Sequence, residues 1–512
     1  MNDKAAIQTQ VLQDGTLDCA RLLSDPGNTP AQPNMRMSIV AGRIADLTPL
    51  QAVPSAPRRL VLPALANAHD HGRMVRTSSL GAFGQPLESW LPFQGVLPGV
   101  DPYLCAATSF ARAVRKGVAH LMVHYTRVQG AGSYLEEAAA VARAARDVGV
   151  RIGFAVALRD CQGIAYAPDA TVLAALRPGI REAVAQRLSV RAISPAQQVA
   201  LVEEVARLVA ADQGGSLAPH VCVQYGPTGV QWCSTALLEA VAQASVDSGR
   251  PVHMHLLETK YQRVWADQVY PGGIVPYLDT LGLLSPRLTL AHCVWARADE
   301  LALLAERGVT IAVNTSSNLG LKSGIAPVAE MLRQGCRIAM GLDGGALDDD
   351  DDALREMRLA YQLHRGWGFD EDMTRAQLWA FAARNGRSSV GGGAVSGTAR
   401  VAVGEPADLL VLDLDTLQGD DAFLDDITPL DLLLARGNGV HIDQVIVGGR
   451  TVVRAGQLTG LDEAALRAEL AARMRSALAS QSDAVARWRG SVQALAEDLG
   501  PFYRNSHFLG CC

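Results

Sequence analysis

The chain has 512 residues, 49% of them hydrophobic and only 5% aromatic, with 46 Lys and Arg against 52 Asp and Glu. That length accommodates one large domain with accessory segments, and the Ala, Val, Leu and Gly bias suits a layered α/β protein rather than a disordered or fibrous one. The net charge of −6, without a basic run or an arginine-rich arm, leaves no footprint for gripping a phosphate backbone, so nucleic acid is not an expected partner.

The opening MNDKAAIQTQVLQDG has no charged start followed by an apolar segment, and no uninterrupted apolar run of about 18 residues occurs. The expectation is a cytoplasmic protein that does not engage a membrane. Nine cysteines are scattered without a C-x-x-C pair, and an odd count points to reduced thiols rather than a disulfide framework or a thiolate zinc site. The terminal Cys511-Cys512 reads as an ordinary tail.

In chain order, residues 1–59 read as short strands and turns. From about residue 60 to 345, β-rich apolar runs at 60–66, 117–125, 151–158, 220–226, 251–257, 288–294, 310–314 and 337–342 alternate with Ala/Leu/Arg-rich stretches of helical spacing. Eight such units predict a (β/α)8 barrel over residues 60–395, with its active site at the C-terminal strand ends. Residues 396–460 carry "GTARVAVGEPADLLVLDLD" and "VIVGGRTVVRAGQLTG"; these β-branched runs broken by Gly and Pro are expected to join residues 1–59 in a small β-sandwich built from both chain ends. Residues 461–512 form a helical C-terminal extension, packed on the surface or against another subunit.

A barrel of this kind should end its strands in polar, ligand-type residues, and this one does so repeatedly. The first run leads into "NAHDHGR", where alternation puts His69 and His71 on one face and Asp70 on the other, so that two imidazoles can grip one ion. The fifth ends in "HMHLLET" with His253, His255 and Glu258, the sixth in "LAHC" with His292, and the eighth in "MGLDGG" with Asp343. Five of the eleven histidines fall at predicted strand ends, which points to a metal site rather than to scattered core histidines.

The ordered set resembles the amidohydrolase superfamily, within it the branch of cytosine deaminase, S-adenosylhomocysteine deaminase and triazine hydrolase. The resemblance also includes "NTSSNLGLKSGIAPV" after strand 7 and "GEPADLLVLDLD" in the split sandwich. It implies that His69, His71, His255 and Asp343 bind one divalent metal, zinc with ferrous iron as the alternative, a water completing the shell. Imidazole and carboxylate suit either ion, and a position left to water marks a catalytic centre. The resemblance further implies that Glu258 shuttles a proton to the leaving nitrogen, that His292 polarises the substrate or steadies the water, and that Asp343 doubles as a base. Binuclear relatives carry a bridging lysine on strand 4; the only lysines here are Lys4, Lys116, Lys260 and Lys322, none in that strand, so a mononuclear centre is expected.

Several segments bear on substrate instead. Arg73 and Arg76 follow the metal pair and are placed at the pocket mouth, and Trp90 of "PLESWL" either walls the pocket or simply packs. Strand 2 ends in "VHYTR" and strand 4 in "QYGPTG", so His124, Arg127, Gln224 and Tyr225 are candidates near the substrate. The acidic run 348–352 has two readings: favourable charges in the first turn of a helix, or Asp348 or Asp349 meeting an amino or amidine group of the substrate. The expected activity is metal-dependent hydrolysis of a C–N bond, deaminating an aminated pyrimidine, purine, pterin or triazine with release of ammonia. Alternatives are cleavage of an exocyclic amide, urea or carbamate and, more distantly, an inactive scaffold. A small-molecule substrate and a homo-oligomer complete the expectation.

Overall fold

Eight parallel strands form the barrel: β1 (Leu65–Asn67), β2 (Val118–Tyr125), β3 (Arg151–Leu158), β4 (Val221–Pro227), β5 (Val252–Leu256), β6 (Leu288–His292), β7 (Thr310–Val313) and β8 (Arg337–Met340). The computed structural model describes residues 15–52, 58–130, 132–161, 163, 165–188, 193–212, 220–344, 349–392, 398–420, 427–481 and 483–509. Pairing runs in order from β1 to β8. The ring closes where the Ala68 N–H donates to the Met340 carbonyl at 2.6 Å. Closure demands close approach, and Gly341 provides it: a Cβ there would meet Asn314 Oδ1 at 2.0 Å and His69 Cβ at 2.9 Å.

Helices intervene between the strands, among them Tyr134–Val148 between β2 and β3 and Pro195–Ala210 between β3 and β4. Each has a Ser N-cap in a capping box, which satisfies amide groups the helix start leaves open. Residues 380–391, a π-helical turn running into helix Asn385–Gly391, plug the N-terminal end of the barrel. There Gln224 Nε2 donates to the carbonyls of Ser389 and Val390 at 3.0 and 3.1 Å.

The apolar stretch expected as one strand over 60–66 divides at Ala64. Arg59–Pro63 belongs to a second sheet, pairing parallel with Gly15–Leu22 and antiparallel with Leu409–Asp413, and only Leu65–Asn67 enters the barrel. The second sheet has eight strands, with Gln32–Val40 and Arg43–Pro49 at one side and Ile442–Val447, Arg450–Arg454 and Gln457–Leu458 at the other. Alternation sorts its faces: Val61, Leu409 and Val411 join a small core with Leu17, Met37 and Ile44, while Leu60, Leu62, Leu410 and Leu412 join the main core shared with the barrel.

A buried carboxylate fastens the two sheets. Asp408, just before the strand at Leu409, accepts from Arg151 Nη1 at 2.9 Å and from the Gly448 N–H at 2.6 Å, and lies 3.0 Å from Arg387 Nη1 on the plug helix. Its loss leaves buried cations uncompensated, so Asp408→Ala is expected to destabilise the fold by about 3–5 kcal/mol. A melting temperature unchanged from wild type in differential scanning calorimetry contradicts this.

The C-terminal helices Glu463–Ala479 and Asp483–Arg504 pack on this same chain. Trp488, Leu495, Leu499 and Phe502 are buried, Trp488 Nε1 donates to the Pro92 carbonyl at 3.2 Å, and Arg177 pairs with Asp498. No helix among the described residues is long and apolar enough to cross a membrane.

Candidate active site

Asn67 and Asp70 fix the loop that carries the first two histidines. Asn67 Oδ1 accepts from the Leu342 N–H at 2.9 Å and its amide donates to Asp70 at 2.8 Å; Asp70 also accepts from the N–H groups of His71 and Gly344. Asp70 thus ties the ends of β1 and β8 together, while His69 and His71 turn to the opposite side. His292 and Asp343 take left-handed backbone at φ 77° and 54°, a conformation costly for non-glycine residues and typical of constrained functional positions.

These strand ends bring six groups together. His71 Nε2 lies 3.0 Å from Asp343 Oδ1 and His69 Nε2 lies 3.6 Å from it. The rings of His69 and His255 stand edge to face at 4.8 Å, and His255 stacks near His292 at 5.7 Å. Donor atoms cluster in three overlapping sets: His69, His71 and Asp343; His69, His255 and His292; and Glu258, His292 and Asp343. His69 Nε2, Asp343 Oδ1 and Glu258 Oε1 are buried without a hydrogen-bond partner, as expected of atoms reserved for a ligand.

The supporting contacts set the tautomers. His71 Nδ1 lies 2.8 Å from the His124 carbonyl and His255 Nδ1 lies 2.7 Å from the Thr228 carbonyl; each Nδ1–H donates there and leaves Nε2 free to ligate. Ser317 Oγ donates to Asp343 Oδ2 at 2.6 Å, and His292 Nδ1 lies 2.9 Å from Asn318 Oδ1. Imidazole and carboxylate donors with open inward atoms fit a divalent cation.

Charge agrees with that fit. Burial first, and the surrounding imidazoles second, hold His69 and His255 well below the ordinary histidine range, so both rings are neutral. Burial alone raises Asp343, but the neighbouring His71 ring and the Arg73 guanidinium outweigh it and keep the carboxylate ionised. Burial, then Asp343, drives Glu258 well above the usual carboxyl range, suiting it to carry a proton near neutrality.

Depressed histidines also set an acid limit on the fold. Burial lowers His120 and His124 from 6.5 to about 3, and His220 and His364 to about 4. The unfolded chain therefore takes up protons before the folded one; this stabilisation is complete above 6.5 and is lost as pH falls toward the folded values. Thermal unfolding of metal-free protein is expected at progressively lower temperature below pH 6.5, and a flat profile contradicts the assignment.

A cavity of about 180 Å³ opens onto the cluster, lined by His71, His255, Glu258, His292 and Asp343 at its floor and by Arg73, Trp90 and Trp232 in its walls. Arg73 donates to the Asp343 carbonyl at 2.9 Å and lies 4.7 Å over the Trp90 ring. Two expected substrate contacts are corrected. His124 lies in the barrel interior behind the cavity, its Nε2 3.0 Å from the Gly226 carbonyl, and Gln224 is committed to the plug helix; neither lines this cavity. The Tyr225 hydroxyl points outward to Glu203. Asp348 and the Cys511-Cys512 tail lie outside the described residues. The rest of the acidic run has structural partners: Asp349 accepts from the Ser78 N–H, Asp351 pairs with Arg112, and Asp352 caps helix Ala353–His364 and accepts from the Gly439 N–H.

Sequence reasoning placed His253 at a strand end without a role of its own, and passed over Glu88, Thr259 and Gln262. His253 Nε2 lies 2.8 Å from His69 Nδ1. Glu88 accepts from Thr259 Oγ1 at 2.5 Å and from the Tyr166 hydroxyl at 3.1 Å, while Gln262 accepts from the Glu258 N–H at 2.7 Å, so the loop bearing Glu258 is pinned from behind. A larger cleft of about 700 Å³ at the opposite end of the barrel contains none of the metal-type donors described above.

A parallel barrel whose strand ends present imidazoles, an ionised aspartate and a raised glutamate defines a metal-dependent hydrolase. The chain matches the amidohydrolase family over residues 60–452 and belongs to it. It is 30% identical over 406 residues to a 5-methylthioadenosine/S-adenosylhomocysteine deaminase of Nitratidesulfovibrio vulgaris strain DP4, covering 79% of this chain and 81% of that one. Among solved structures it is similar in fold to a zinc-bound adenosine deaminase from Xanthomonas campestris, with TM-score 0.68 and 21% identity over 93% of this chain and 98% of that one. An atrazine chlorohydrolase from Arthrobacter aurescens TC1, in complex with zinc and atraton, gives TM-score 0.69 and 20% identity over 89% and 98% of the respective chains.

Proposed function

We propose that the protein hydrolytically deaminates an aminated N-heterocycle, a purine ring before a pyrimidine, pterin or triazine, and releases ammonia. The observation that carries this reading is the meeting of unpartnered Asp343 and Glu258 atoms at the floor of one cavity, with the unpartnered His69 Nε2 clustered beside Asp343. The adenosine-derived substrates in the relatives' names support the purine ring. In this reading His69, His71, His255 and Asp343 hold one divalent cation. Zinc is preferred over ferrous iron because similar folds bind it. When bound, such an ion lowers the pKa of water from 15.7 to about 7 and so supplies a nucleophile near neutral pH.

Glu258 takes the proton given up by the attacking water and delivers it to the exocyclic amino nitrogen, whose bond to the ring carbon breaks so that it leaves as ammonia. The His292 ring, with its Nδ1–H directed at Asn318, turns Nε2 inward, 3.6 Å from Glu258 Oε2, where it steadies the water. Asp343 assists as a base, and Trp90 and Arg73 flank the ring. Unpaired buried thiols such as Cys19, Cys105 and Cys293 support a reducing, cytoplasmic setting. Exposed Trp367 and Phe369 support a homo-oligomer.

The test is product identification with zinc-loaded protein. An oxo ring plus ammonia from an amino ring supports deamination; an intact ring amine with release of an organic amine from an amide, urea or carbamate substrate overturns it.

A further inference from the structure

We infer that the substrate carries an anionic substituent, a carboxylate or a phosphate, held by Arg127 in a side cavity of the active site. The inference rests on the deaminase reading for the reacting ring, but its own observations lie elsewhere. A second cavity of about 50 Å³ shares His71, Arg73 and Gln94 with the first, and Arg127 and Gln129 contribute to its polar edge. Its remaining surface is largely apolar, with Met74, Phe110 and Val123 among the lining residues. The volume suits a small substituent rather than a second ring.

The state of Arg127 indicates what that substituent is. Its Nη2 donates to the Leu97 carbonyl at 2.9 Å, and among the described residues no carboxylate pairs with it. Three other largely buried arginines of this chain are each matched by a carboxylate: Arg112 by Asp351, Arg263 by Glu300 and Arg387 by Asp408. Burial first, and then the guanidinium groups of Arg187 and Arg73, push the Arg127 pKa down. A half-buried cation beside other cations gains from an anion brought into the same cavity. The carboxylates lining the first cavity are Glu258 and Asp343, already assigned to the proton and the metal, and none lines the second. A substrate carboxylate or phosphate therefore supplies the missing charge, and guanidinium geometry suits both.

The test uses full-length zinc-loaded protein and calorimetric titration with oxo rings that cannot be deaminated, each in neutral and acid-bearing form. The probes are inosine, inosine 5′-monophosphate and 9-(2-carboxyethyl)hypoxanthine, with lumazine and lumazine-6-carboxylate as the second ring. An acid-bearing probe is expected to bind about tenfold or more tighter than its neutral parent. Arg127→Met, at wild-type zinc content, should bring that ratio close to one, and Arg127→Lys should restore part of it. The favoured member distinguishes phosphate from carboxylate. No acid preference on either ring, including no binding, or a preference that survives Arg127→Met overturns the inference. Ammonia release from neutral amino rings then still upholds the deaminase reading, whereas acid preference without ammonia from any amino counterpart sinks that reading and leaves the Arg127 site standing.

Discussion

Glu258→Gln is expected to lower kcat by about 10²–10⁴-fold, the range of general acid–base catalysis, while the metal content stays at the wild-type value. Glutamine keeps the size and much of the hydrogen bonding of the side chain but cannot exchange the proton that the buried carboxyl carries. The Glu258 N–H bond to Gln262 and the Glu88–Thr259 contact beside it involve no Glu258 carboxyl oxygen, so the loop should keep its place. Steady-state kinetics and metal analysis on one preparation check both halves. Wild-type turnover removes Glu258 from the chemistry, and loss of metal places it among the ligands, an arrangement the Glu258, His292 and Asp343 set also permits.

His255→Ala should lose the metal and, with it, all turnover. His255 is oriented by the Thr228 carbonyl and packs among His69, His71 and His292, so its loss removes one of the clustered imidazole donors. Metal binding to the native state raises stability by RT times the logarithm of one plus the ratio of ligand concentration to Kd; the wild-type melting temperature should rise on adding zinc and that of the variant should not. Ser317→Ala offers a graded control: removing the donor to Asp343 Oδ2 should weaken metal binding by about 10–100-fold. A fully metallated, active His255→Ala protein contradicts the ligand set.

Much of the barrel was legible because its strands are buried on both faces and read as short apolar runs between helical stretches; β3 spans 151–158 as expected. The first run misled because two consecutive strands of different sheets, Arg59–Pro63 and Leu65–Asn67, are both apolar and are separated by a single residue. Hydropathy does not mark where one sheet hands over to another. The convergence of His69, His71, His255, His292, Glu258 and Asp343 at the strand ends was legible because ligand-type side chains there belong to few residue types. His124 and Gln224 were misplaced because alternation along a strand gives the face and not the depth: both point into the barrel, one behind the cavity and the other at the plug. Asn318 and Ser317 lay inside the quoted "NTSSNLG" segment, but which of its polar side chains reaches His292 or Asp343 depends on the turn of helix Thr315–Gly320. Arg127 was noted near the substrate; its lack of a carboxylate partner is a property of the folded surroundings alone.

The most direct test of the central claim is ammonia release from a panel of aminated purines, pyrimidines, pterins and triazines by the zinc-loaded protein, measured beside the same protein stripped of metal by a chelator. The account predicts ammonia from at least one ring, lost on stripping and restored by zinc. Turnover unaffected by stripping, or zinc bound at one per chain with no ammonia from any ring, would contradict it.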